Sequence, residues 1–100
     1  LYVAQWSSEQ GKAALFRNMR RLNSEYTQAI AGDLKALPHE TLVLWGDKDH
    51  FQKPKYAPML ADAIPKASLI WLEDAGHWVI DEQPEKVCTL INTFLEGSAF

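Results

Sequence analysis

Two uninterrupted apolar runs constrain this chain most: Thr41-Leu42-Val43-Leu44-Trp45 and Ser68-Leu69-Ile70-Trp71-Leu72. Both are rich in strand formers and lack the polar alternation of a half-exposed strand, so each reads as a strand covered on two faces, the habit of parallel sheets. Between them, residues 54–64 read as a helix with Tyr56, Leu60 and Ile64 on one side. Pro58 is tolerated there only in the first turn, where backbone donors are unpaired anyway, and Pro65 helps to end the helix. Strand, helix and strand in this order make a right-handed crossover between parallel strands. The loops after Trp45 and after Leu72 therefore share the carboxyl edge of the sheet, where open α/β sheets place their ligands.

The remaining segments are helical. Pro84 at a first helical position, Glu85 in the first turn, apolar Val87, Leu90, Ile91, Phe94 and Leu95, and Gly97 as a stop define a last helix. Near the start, Leu15, Met19, Leu22, Tyr26 and Ile30 step by four or three, which predicts a long helix over about 8–30, broken at most once. Ser7 or Ser8 serves as its N-cap, Ser7 and Gln10 have capping-box spacing, and Gly32 stands where it stops. Arg17, Arg20 and Arg21 fall mostly off the apolar stripe and read as a solvated face. The expected organisation is a helical segment over residues 1–37 and a βαβα segment over 38–100.

Composition excludes several functions. The 100 residues carry 10 Lys and Arg against 13 Asp and Glu, a net charge of −3 that does not recommend a nucleic-acid binder. Apolar runs fall far short of the ~20 residues of a membrane span. One cysteine, Cys88, cannot close an intrachain disulfide, so a reducing, cytoplasmic setting is expected. Cys88 itself reads as a small buried or half-buried residue rather than a nucleophile. No Cys, His and Asp spacing suggests a metal site, and no cofactor is expected.

The chemistry gathers in the two loops at the shared edge. The first holds Gly46-Asp47-Lys48-Asp49-His50 and the second Gly76-His77-Trp78. Strands in a sheet lie ~4.8 Å apart, so an acid from one loop can meet the histidine of the other. A carboxylate bonded to one imidazole nitrogen fixes the tautomer and leaves the other nitrogen free to act as general base. Either aspartate also suits a turn after a strand. His50 reads as a loop or pocket-edge residue and His39 as part of a connector.

Pro38 with Thr41 through Asp49, Leu72 through Trp78, and Asp81-Glu82-Gln83-Pro84-Glu85-Lys86-Val87 resemble the C-terminal end of an α/β-hydrolase-fold enzyme. The resemblance covers residues 38 to 95, and the first helix resembles the segment that follows the cap domain in capped members. It implies that the acid, three residues after the glycine, is Asp49, that the histidine of the Gly-His pair is His77, and that Asp47 is a turn residue. Trp45, Trp71, Trp78 and Phe51, aromatics near a sheet edge, read most simply as core or pocket-wall residues. Phe51 and Trp78, beside the acid and the histidine, are the substrate-binding candidates. A Trp after the histidine is similar to epoxide hydrolases and carbon–carbon bond hydrolases of the superfamily.

That family also needs a nucleophile on a Gly-x-Ser-x-Gly or Gly-x-Asp-x-Gly elbow. No two glycines here stand four apart, and no histidine is followed by glycine to form an oxyanion loop of the His-Gly type. With Leu1 rather than Met at the start, no signal-peptide pattern and a length well short of the ~200 residues of such an enzyme, the expectation is a C-terminal piece. It would supply acid and histidine for hydrolysis of a small ester, epoxide or haloalkyl substrate once a nucleophile-bearing portion is present. The other reading is a catalytically inactive remnant or stand-alone association module. Unpaired edges of so small a parallel sheet lead to the expectation of self-association or pairing with a missing portion.

Overall fold

The computed structural model describes residues 3–97. They divide into two compact units, with the boundary along the chain between Gly32 and Asp33.

The first unit holds a single 3-10 turn (Ala4–Trp6) and two helices, α1 (Glu9–Arg20) and α2 (Glu25–Ala31). Ser8 caps α1, its Oγ accepting the Gly11 N–H at 2.9 Å, while the Ser7 hydroxyl donates to the Val3 carbonyl instead. The cap is thus Ser8, and the Ser7–Gln10 pairing expected from spacing does not form. The long helix breaks at residues 21–24. There the Asn23 Oδ1 accepts the Glu25 N–H and the Ser24 carbonyl receives both the Thr27 hydroxyl and the Gln28 N–H. Short polar side chains that bond nearby backbone compete with helix continuation, which is why two helices replace one. Gly32 does end α2, and the chain continues as a 3-10 turn to Ala36. Of the predicted apolar stripe, Met19, Leu22, Tyr26 and Ile30 are exposed; two short helices do not build a core deep enough to cover it.

The second unit carries the sheet. Strands β1 (Thr41–Gly46) and β2 (Ala67–Leu72) pair in parallel with Thr41 opposite Ala67 and Gly46 opposite Leu72. Helix α3 (Tyr56–Ala63) makes the crossover and packs on both strands, with Pro58 in its first turn. Extended backbone at Ile64 and the Ala67 N–H on the Ile64 carbonyl turn the chain into β2. A four-residue helix, α4 (Val79–Glu82), precedes α5 (Pro84–Leu95), which starts on proline and ends before Gly97 at φ 75°. Leu72, Ala75 and Val87 form the buried centre, with Leu44, Val79 and Leu90 packed around it.

Burial departs from the sequence reading in two places. The strands are not closed on both faces: Ser68 and Trp71 of β2 are exposed, since a sheet of two strands cannot bury both of its sides. Cys88 is also exposed. It follows the buried Val87, and one residue along a helix turns the side chain ~100° away from the core.

Candidate functional site

The site is built from the two loops that leave the strands on the same edge. Gly46, at the end of β1, is buried, and a Cβ there would run into the carbonyl groups of Ala75 and Gly76. Its lack of a side chain lets the second loop lie across the first. The contact is then secured by backbone bonds, Asp47 N–H to Leu72 O at 3.1 Å and Lys48 N–H to Ala75 O at 2.9 Å. An exposed ion pair between Lys48 and Asp74 adds a third tie. Its hydrogen bond and charge raise the Lys48 pKa and lower that of Asp74. Asp74 occupies the left-handed region at φ 57°, which Asp tolerates better than most residues because its short polar side chain bonds locally.

Asp49 is the only buried charged residue among those described, at 6% exposure. Its Oδ1 accepts the backbone N–H groups of Phe51 and Gln52, each at 2.9 Å, and its Oδ2 lies 2.9 Å from His77 Nδ1. Burial alone would raise the Asp49 pKa. The Gln52 N–H, the His77 hydrogen bond, the Phe51 N–H and the His77 charge outweigh it, and the carboxyl is held below its ordinary value. An ionised carboxylate only accepts, so Nδ1 of His77 carries the proton and donates it. In the neutral imidazole that leaves Nε2 with its lone pair. The His77 side chain is 34% exposed, so this pair has a closed acid end and an open base end.

Two aromatic rings flank the imidazole. Phe51 lies 5.5 Å from it, tilted by 51°, and Trp78 lies 5.1 Å away edge-on at 81°. Both are largely exposed. A cavity of about 150 Å³ opens beside the pair, with Trp45, Gln52 and Val79 among the residues that join Asp49 and His77 in its walls. Phe51 and Trp78 border the histidine rather than this cavity. The Trp45 indole N–H is buried with no hydrogen-bond partner among the described residues.

The loops thus bring Asp49, His77, Phe51 and Trp78 together. Asp47 takes a turn position and His50 is exposed. The His39 carbonyl only receives the Thr41 hydroxyl. Three participants escaped the sequence reading. The Phe51 and Gln52 amides act through backbone, though an Asp two and three residues before them is the signature of a side-chain-closed turn. Glu82 takes the Gly76 N–H on both carboxylate oxygens, at 3.0 and 3.1 Å, and no short motif announces that reach. Among the described residues, no group of three or more His, Cys, Asp and Glu side chains could hold a metal ion.

A family model described as alpha/beta hydrolase family matches residues 3–90. The 2-hydroxymuconate semialdehyde hydrolase of Pseudomonas putida is 34% identical over 83 residues, which cover 83% of this chain and 30% of that protein. Lipase 3 of Moraxella sp. (strain TA144) is 35% identical over 57 residues, 57% of this chain and 18% of the lipase. Among solved structures, MGS-MChE2, an alpha/beta hydrolase enzyme from the metagenome of sediments from the lagoon of Mar Chica, Morocco, aligns with a TM-score of 0.75 at 25% identity. That alignment covers 96% of this chain and 43% of the other. The parallel sheet, its loops and these matches agree: the chain belongs to the alpha/beta hydrolase family. It spans 30% or less of the length of the two curated relatives.

Proposed function

We propose that this chain supplies the general base and its orienting acid to a hydrolase, with the nucleophile contributed by residues outside this sequence. One observation carries the reading: a buried carboxylate, held ionised by two backbone amides, lies 2.9 Å from Nδ1 of a histidine whose side chain is one-third exposed. In the proposed reaction, His77 Nε2 takes the proton of the nucleophile or of water as it attacks the substrate, and Asp49 stabilises the imidazolium that forms. The proton then passes to the leaving group or intermediate, restoring the Nδ1–H tautomer. The substrate class is a small ester, epoxide, haloalkyl compound or similar electrophile. The names of the relatives, a semialdehyde hydrolase and a lipase, support hydrolysis and differ in substrate. Phe51 and Trp78 would contact the substrate beside His77.

The test is turnover of a p-nitrophenyl ester by the chain joined to, or mixed with, a family N-terminal portion that bears a nucleophile elbow. Activity that His77→Ala abolishes is expected. Equal activity in the His77→Ala protein would sink the assignment.

The exposed Met19, Leu22, Tyr26 and Ile30 favour a second reading, in which the chain acts as an association module. On that reading it self-associates and shows no activity in either mixture.

A further inference from the structure

Glu82 closes a ring around the histidine. Its carboxylate takes the Gly76 N–H on both oxygens, and its own backbone N–H donates to the Trp78 carbonyl at 3.0 Å. Gly76 and Trp78 are the two neighbours of His77, so one residue anchors the chain immediately before and immediately after the imidazole. The Asp81 N–H strengthens the second anchor with its own 3.0 Å bond to the Trp78 carbonyl. Glycine at 76 suits the first: a Cβ there would lie 3.1 Å from Glu82 Oε2 and crowd the carboxylate. The next residue ties the ring to the strand end, Gln83 Nε2 donating to the Glu73 carbonyl at 2.7 Å. By contrast, the His77 ring itself makes one hydrogen bond, to Asp49. Its placement within reach of that carboxylate therefore depends on where the backbone of 76–78 is held.

We infer that Glu82 is a positioning residue for His77: its carboxylate, through the Gly76 N–H, sets the loop so that Nδ1 meets Asp49. A charge-assisted bond to a backbone amide is the stronger kind of hydrogen bond, suited to fixing an otherwise open loop. The inference deepens the proposed hydrolase function and rests on it for its catalytic meaning, but the positioning is readable without turnover.

The measurement is the ¹H–¹⁵N spectrum of the histidine side chains in the uniformly ¹⁵N-labelled 100-residue chain. The unmodified chain is expected to show His77 as the Nδ1–H tautomer with a slowly exchanging Nδ1 proton. Glu82→Ala should lose that resonance and mix the tautomers while the β1 and β2 amide signals stay in place. Glu82→Gln, whose side-chain oxygen still accepts from Gly76, should keep it. Should Glu82→Ala lose the fold, Glu82→Asp decides in the same way, since it keeps the charge but is one methylene too short for Gly76. An unchanged His77 resonance in Glu82→Ala, or in Glu82→Asp where that variant is needed, overturns the inference, as does its absence from the unmodified chain. If Glu82 variants lose the resonance yet His77→Ala leaves hydrolysis of the completed enzyme intact, the positioning role stands and the catalytic reading falls.

Discussion

At the scale of single residues, the Asp49–His77 pair turns on which atom donates. Asn at 49 can still accept from the Phe51 and Gln52 amides but presents an NH₂ to His77, which forces the imidazole proton onto Nε2 and removes the base. Asp49→Asn should therefore keep the fold and lower kcat/KM of the completed hydrolase by about 10⁴-fold, the scale of that exchange in triads, measured on a p-nitrophenyl ester. The same carboxyl gives a pH signature. Its pKa is lowered in the folded chain, so its stabilisation is present above the unfolded carboxylate value, about 3.9, and is lost as pH falls through the lower folded value. The melting temperatures of the unmodified chain and Asp49→Asn should differ most at neutral pH and converge in acid; a constant gap would contradict the assignment. Asp49 and His77 were legible because each follows a glycine at or shortly after a strand end, but the choice of Asp49 over Asp47 needed the family resemblance. The amides that hold Asp49 were not legible, since a backbone N–H carries no residue identity.

The elements carry the site through close packing. Gly46→Ala should drive the new methyl into the Ala75 and Gly76 carbonyls and cost about 1–3 kcal/mol, the usual range for overpacking, read from urea unfolding. Because the displaced groups precede His77, the Asp49–His77 bond should break in the same variant, with loss of the Nδ1–H resonance. Leu72→Ala should cost about 2–5 kcal/mol through the cavity left in the buried centre, with little effect on the loops if the fold survives. The strands and α5 were readable to within a residue because continuous apolar runs and a proline start leave few alternatives. The break at Asn23 and Ser24 was less sharp in the sequence, as apolar periodicity runs straight across it. Helix α4 was invisible: one turn has no period, and it exists because the Trp78 carbonyl collects the N–H groups of Asp81 and Glu82.

For the molecule as a whole, the described residues leave large apolar side chains open, with Leu22 and Tyr26 each about four-fifths exposed. Among them no helix is long and apolar enough to cross a membrane. The proposal that the chain pairs with another copy predicts a mass above 11.3 kDa in light scattering at micromolar concentration. Tyr26→Lys together with Leu22→Lys should return it to a monomer. A monomer in the unmodified chain would remove self-association and leave the complementing portion as the partner. One property of the loop contacts reaches further. Every hydrogen bond described around the acid and the base joins residues between Gly46 and Gln83. On the proposed function, a cut in the connector before Thr41 would leave that geometry untouched, keeping Asp49 and His77 on one polypeptide and the proposed nucleophile-bearing portion on another. Such a division is what a split-enzyme reporter requires: two silent halves whose reunion, driven by whatever is fused to them, is read as the return of turnover.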